Sequence, residues 1–229
     1  MADFHLSLDF SGTPKEAIEL QKELSERITL VPLPGAPKTI AGADISLERF
    51  GTELFAGIIV LSYPDLVVVD RATVRLPVSF PYVPGLLSFR EIPGLLQCYE
   101  QLTVKPDLII VDGQGIAHPR RLGIATHLGL LLDIPTIGCA KSRLYGIYVE
   151  PETVGEESRI TDPKSGATIG TAYKSKARSN PLLISPGHKI TVEESLDIVK
   201  HCLRGYRLPE PTRLAHLLVN EVRKTALKK

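Results

Sequence analysis

Asp112 closes an unbroken apolar run, Leu108-Ile109-Ile110-Val111, and is followed at once by Gly113-Gln114-Gly115. Four consecutive apolar residues read as a strand buried on both faces, because a half-exposed strand alternates polar with apolar. An ionised carboxylate at its end must emerge at the carboxyl edge of a parallel sheet, where α/β proteins keep ligand sites, or suffer heavy desolvation. The glycines behind it let backbone approach a ligand closely, although Asp-Gly is also ordinary turn chemistry. A second acid, Asp44, lies within the strand-like stretch Ile40 to Ser46, on the small polar face it shares with Gly42 and Ser46. If these two strands are neighbours, the carboxylates face one another and repel unless a cation lies between them. Oxygen ligands without paired Cys or His favour Mg²⁺, or Mn²⁺ as substitute, over zinc. Glu91, in Ser88-Phe89-Arg90-Glu91, offers a third carboxylate at the start of a helix; a helix-dipole or salt-bridge role is the alternative.

Cations complete the inventory. Lys141 ends the short strand Pro135 to Ala140, so its ammonium either neutralises a phosphate at the same sheet edge or snorkels past the sheet as a surface lysine. Lys174, Lys176 and Arg178 alternate along Ala172 to Ser179, which puts three cations on one strand face as a phosphate track or a charged, aggregation-resistant edge. His118 precedes Pro119 in the loop after Asp112 and reads as a pocket wall, and His127 as a packed or capping residue. His216 shares a helix face with Arg213 and Asn220, opposite Leu214, Leu218 and Val222, which by patterning makes it solvated. Pro81-Tyr82-Val83-Pro84-Gly85 sets an aromatic between two rigid prolines, suited to pushing between bases or to an ordinary Pro-Tyr turn.

The elements that must position these groups follow in order. Thr13-Pro14-Lys15-Glu16 is a capping box with proline at the first helical position, and Ala17, Leu20 and Leu24 would form that helix's buried face. Val31 to Pro37 is a proline-rich connector. Residues 40 to 76 read as three antiparallel strands, the third from Leu66 to Val74, and a loop over 77–85 follows. A helix from Leu86 to Leu102 is expected to be interrupted at Pro93-Gly94. The strand ending at Asp112, a helix from Arg121 to Leu132 and the strand ending at Lys141 make a parallel crossover unit. Short strands between Tyr145 and Leu183 turn at Asp162-Pro163 and Ser165-Gly166; Thr191-Val192-Glu193-Glu194 caps another helix, and Pro209 to Thr212 caps the last, 213–226. Lys228-Lys229 is expected to be disordered. The order predicts an α/β fold with a ribonuclease-H-like mixed central sheet, an antiparallel three-strand meander plus parallel strands, flanked by helices.

Composition bounds the rest. With 229 residues, 43% hydrophobic and 23% charged, a single domain over 1–229 is expected. Lys and Arg number 27 against 26 acids, so nucleic-acid contact must come from local clustering of cations. Cys98, Cys139 and Cys202 are odd in number and lack any CxxC spacing, which speaks against disulfides or zinc and fits a reducing cytoplasm. Neither a signal peptide nor a spanning apolar run is evident, so no membrane partner is expected.

Taken together, Pro81 to Gly85, Ser88 to Glu91, Val111 to Gly115 with His118-Pro119-Arg120, Ala140-Lys141-Ser142-Arg143-Leu144, and Ser185-Pro186-Gly187-His188 resemble the endonuclease V family of deoxyinosine-specific nucleases, in the same order and at similar spacing. The likeness runs over nearly the whole chain; Val83 stands where Ile is usual and Cys139 where Val is common. The resemblance implies Asp44, Glu91 and Asp112 as the acids for Mg²⁺, with Lys141 and His216 as supporting catalytic positions. Tyr82, carried by Pro81, Val83, Pro84 and Gly85, would be the strand-separating wedge. The backbone around Gly85, Leu87, Gly113 and Ile124, with His118 nearby, would line a hypoxanthine pocket. Arg90, Arg120, Arg143, Lys174 and Lys176 would meet phosphates. The implied partner is deoxyinosine-containing DNA, cut by a monomer at the second phosphodiester 3′ to the lesion. Rival readings are an inosine-specific endoribonuclease, a silent nucleic-acid-binding module and another metal-dependent phosphotransferase.

Overall fold

The computed structural model describes residue 10 and residues 12–47 and 51–226. Helix α1 (Pro14–Ser25) opens on the expected capping box: Thr13 Oγ1 accepts from the Glu16 amide at 3.3 Å and Glu16 Oε2 accepts from the Thr13 amide at 2.7 Å. β1 (Thr39–Leu47), β2 (Glu53–Ser62) and β3 (Val68–Pro77) form the antiparallel meander. β3 begins later than expected because Leu66 turns through the left-handed region, φ 59°, inside the connecting loop. β4 (Leu108–Val111) lies parallel to β1, and β5 (Thr136–Ala140) parallel to β4. β6 (Glu157–Thr161), β7 (Thr168–Tyr173) and β8 (Leu182–His188) complete one eight-stranded mixed sheet in the order β3-β2-β1-β4-β5-β8-β7-β6. This is the α/β arrangement expected from the element order.

The period of two along the central strands assigns the helices to faces. Ala41, Ala43, Ile109 and Val111 pack against α2 (Leu87–Gln101) and α3 (Ile124–Leu132). Ile40, Leu108 and Ile110 instead face a cluster that includes Leu196, Ile198 and Val199 of α4 (Val192–His201). Helix α5 (Glu210–Ala226) covers β1 and β2 on that second face and starts three residues earlier than expected.

Three expectations need correction. Helix α2 runs through Pro93-Gly94 without a break. A proline inside a helix costs about 3 kcal/mol, but the buried Ile92, Leu95 and Leu96 around it anchor the helix to the sheet, and Gly94 presses against Leu54 and Ala56 of β2. The strand expected to carry Lys174, Lys176 and Arg178 stops at Tyr173; Arg178 sits in a turn at φ 56°, so the three cations do not share a strand face. In α1 the buried set is Ala17, Gln21 and Leu24, so a glutamine replaces Leu20, which is half-buried. Lys228-Lys229 lies outside the described residues.

Candidate active site

β1 and β4 are in register up to Ala43 opposite Val111, so Asp112, the residue after β4, comes level with Asp44, from which β1 runs on paired with β2 alone. The Asp112 amide still donates to the Ala43 carbonyl at 3.0 Å, which fixes that relation. Asp44 shares its strand face with Gly42 because α5 lies there: a Cβ at position 42 would sit 1.9 Å from the Pro211 carbonyl oxygen. The close approach carries His216, two turns into α5, onto Asp44. His216 Nδ1 lies 2.8 Å from Asp44 Oδ2, and Asn220 Nδ2 lies 3.1 Å from His216 Nε2, which fits a ring protonated on Nδ1 and donating to the carboxylate. The helical pattern that marked His216 as solvated is therefore corrected. Its ring remains half-exposed, yet one nitrogen belongs to the acid site.

One ligand atom from each of Asp44, Asp112 and His216 falls within 4.8 Å of the others. Lys141, at the end of β5, is ion-paired with Asp112. Glu91 is not among the three close groups, because it rises from α2 on the opposite face of the sheet, although it faces the same cavity as Asp112 and Lys141. Its carboxyl is pushed up to about 8, first by burial and then by the charges of Asp44 and Asp112. Asp44 is also raised, by burial and by Asp112, against the pull of His216 and the Ile45 amide. Carboxyls crowded so that Asp44 and Glu91 resist ionisation are what a bound cation relieves.

Beside the acids opens a cavity of about 390 Å³. Tyr82, 68% exposed, stands at its mouth, and Gly85, Leu87, Gly113, His118 and Ile124 line it. Phe80 and Leu86 are buried on either side of the Tyr82 loop and clamp both of its ends against α1 and Phe89. Gly85, at φ 78°, supplies the turn that returns the chain to α2. The first turns of α2 and α3 both meet the cavity, bringing backbone N–H groups that have no partner within their own helices. His118 Nδ1 accepts from the Arg120 amide at 3.1 Å, so Nε2 carries the proton and donates to the Gly85 carbonyl at 3.1 Å. Burial and the neighbouring Arg120 charge hold His118 neutral, its pKa pushed down to about 4.

The remaining expected cations divide. Arg143 is exposed at the cavity rim, whereas Arg90 is half-buried with its Nε enclosed and unpaired. Arg120 turns inward and donates to Gln21 and to the Gly85 carbonyl, so it builds the pocket wall. Lys174 and Lys176 lie in the loop after β7, Lys176 5.9 Å from the Tyr206 ring. His127 is a core residue as expected, 3.1 Å from Ser88 Oγ and edge-on to Phe89. Residue reasoning missed Gln21, Leu122 and Gln114. Gln114 donates to the Ser142 carbonyl at 2.9 Å while its Oε1 is buried without a partner. A glutamine at a leucine-like position of α1 was the one available signal.

The endonuclease V family model matches residues 22–217. Endonuclease V of Gloeobacter violaceus is 48% identical over 215 residues, covering 93% of this chain and 87% of that protein. The crystal structure of endonuclease V from Streptomyces avermitilis superposes with a TM-score of 0.87 at 36% identity, covering 94% of this chain and 95% of that one. Endonuclease V of Ciona intestinalis, solved with a 24mer DNA containing an inosine followed by a ribo-adenosine, has a TM-score of 0.82 at 28% identity, covering 93% of this chain and 98% of that one. The acids brought together by β1 and β4, the cavity behind Tyr82 and relatives matched along almost the whole length agree: this chain belongs to the endonuclease V family and is a nuclease.

Proposed function

We propose that this nuclease recognises deoxyinosine in DNA and hydrolyses the second phosphodiester 3′ to it, leaving 3′-hydroxyl and 5′-phosphate ends, with Mg²⁺ as cofactor and Mn²⁺ as substitute. The observation that carries the reading is the meeting of Asp44, Asp112 and His216 within 4.8 Å, beside a cavity whose mouth holds Tyr82. The inosine-containing DNA bound by the Ciona relative supports the choice of base.

Asp44 and Asp112 would hold the cation, with Glu91 completing the acidic wall and His216 at its edge. A hard divalent ion held there would supply Lewis acidity toward a phosphoryl oxygen and a hydrolytic water of lowered pKa. His216, donating Nδ1–H to Asp44, favours the ionised form of that carboxylate and orients it. Lys141, held on Asp112, brings positive charge to the leaving 3′-oxygen. Tyr82, carried by Pro81, Val83, Pro84 and Gly85, enters the stack and stands in for the extruded base.

Hypoxanthine presents O6 as an acceptor and N1–H as a donor, the reverse of adenine at both atoms. Fixed main-chain groups around Gly85, Leu87, Gly113 and Ile124, with His118 as wall, would leave adenine unpaired and so reject it. With the base in the cavity, a scissile phosphate beyond the lesion would lie at the acids along the cavity's edge. Arg90, Arg143, Lys174 and Lys176 would meet the backbone between and beyond them. Three buried free thiols suit a reducing cytoplasm, and one continuous sheet suits a single domain acting as a monomer.

The test is a nicking assay on one defined deoxyinosine duplex, with and without Mg²⁺, for wild type, Asp44→Ala and Tyr82→Ala. Asp44→Ala should bind without cutting, and Tyr82→Ala should lose recognition of the lesion. Retained cutting by Asp44→Ala removes that residue from the site, and equal or better cutting of a matched inosine RNA overturns the DNA assignment.

A further inference from the structure

Gln21 belongs to none of the motifs above, yet its side chain is fully buried and joins both walls of the base cavity. Its Nε2 donates to the Gly85 carbonyl at 2.9 Å, on the wedge side, and to the Leu122 carbonyl at 3.3 Å, on the side that leads through Gly123 to Ile124. Its Oε1 accepts from Arg120 Nε. Arg120 Nη2 donates to the same Gly85 carbonyl at 2.9 Å, and His118 Nε2 at 3.1 Å. One carbonyl oxygen thus gathers three donors, two of them linked through Gln21. A primary amide is the side chain suited to this place, because it offers two N–H donors and an acceptor on one planar group.

We propose that Gln21 is a positioning residue that sets the width of the base slot and thereby its selectivity for the base. The inference rests on the deoxyinosine reading above. The Tyr82 loop leaves the fold at the buried Phe80 and re-enters at the buried Leu86, so apolar packing fixes its ends. Packing is non-directional and does not fix the direction of the Gly85 peptide that faces the cavity. The three donors on its carbonyl do, and of these Gln21 also ties that peptide to the opposite wall, so width and donor alignment are set together. Without the amide the Gly85 carbonyl would keep Arg120 and His118 but lose its tie to the Leu122 carbonyl on the opposite wall, leaving a looser slot.

Gln21→Leu removes all three bonds, whereas Gln21→Glu keeps the acceptor for Arg120 and removes only the two donors. Each is assayed with Mg²⁺ on matched duplexes carrying deoxyinosine or deoxyxanthosine, whose extra oxygen tests the slot width, and thermal unfolding is followed in parallel. For both variants KM on deoxyinosine should rise about tenfold, with kcat falling less than about threefold, because the acids are untouched. Preference for deoxyinosine over deoxyxanthosine should fall about fivefold, the scale of imperfect steric exclusion. Unchanged KM and preference overturn the inference. So does wild-type behaviour in Gln21→Glu, which would leave the carbonyl bonds without consequence. An equal loss of kcat and kcat/KM on both duplexes, together with a lowered Tm, would reduce Gln21 to a purely structural residue. If wild type itself fails to nick deoxyinosine, the functional reading falls; if wild type nicks and the variants match it, only the clamp falls.

Discussion

The acid corner and the base cavity share a rim but are held by different means. Asp44 and Asp112 stand where they do because β4 ends in register with β1 beside Asp44, and His216 is delivered by a helix seated on Gly42. Asp44 and His216 sit on regular elements, and Asp112 and Lys141 each directly follow the last residue of a strand. The cavity is built mostly from loops: the Tyr82 turn, the segment after Asp112 and the first turns of two helices, laced by side chains onto the carbonyls of Gly85 and Leu122. Charges that must meet a cation within a few tenths of an ångström sit on the rigid frame. Backbone groups that must read a base sit on loops whose shape can vary with little cost to the sheet.

If that division holds, damage to the acid corner should stop chemistry and spare binding. Asp112→Asn should lower kcat by at least about a thousandfold, the scale of losing charge stabilisation in a water-poor site, while duplex affinity measured with Ca²⁺ stays within about threefold. A variant that keeps a tenth of wild-type kcat would break the distinction. Damage at the cavity mouth should act on recognition: Tyr82→Ala should raise KM for a deoxyinosine duplex about thirtyfold, and much less for a single strand, where no stack needs opening.

The crowding of carboxyls sharpens the contrast from the side of stability. Glu91 folds to a pKa of about 8 from an unfolded value of about 4.5, so the folded, metal-free chain keeps a proton that the unfolded chain releases. Its contribution is therefore whole below pH 4.5 and is lost as pH rises through 8. Glu91→Gln should raise the metal-free Tm at pH 8.5 by several degrees, from about 1–2 kcal/mol, and should reduce the extra stability that Mg²⁺ gives wild type. A Tm unchanged by the substitution would detach Glu91 from the acid wall.

The smallest effect lies in the core behind the cavity. His127 is neutral and buried, its pKa pushed down to about 4. The unfolded ring takes up a proton first, so the stability of the neutral ring is complete above pH 6.5 and is lost as pH falls from there toward 4. Replacing it by Gln should lower the slope of stability against pH in that window by up to one proton, and nicking at pH 8 should change little. An unaltered slope would show that His127 is protonated in the fold.

Local chemistry in the sequence decided much of this molecule. Unbroken apolar runs specified buried strands, and Thr13 and Thr191 specified two helix starts through capping boxes that form as expected. Asp112 and Lys141 were legible at the edge of the sheet because each follows an apolar run that has only one place to end. The five separated motifs named the family and the cavity lining. Tertiary packing decided the rest, since it joins groups that no local pattern relates. Burial against β2 carried α2 through Pro93, and β8 holds Pro186 beside a register shift against β5, where periodicity gives no strand signal. His216, 172 residues from Asp44 in the chain, meets it only because α5 settles closely on Gly42. Gln21 lies 64 residues from Gly85 and 101 from Leu122. Hydrogen bonds between groups so far apart are fixed by the fold's geometry, and a chain read residue by residue carries no trace of them beyond one polar side chain where an apolar one was expected.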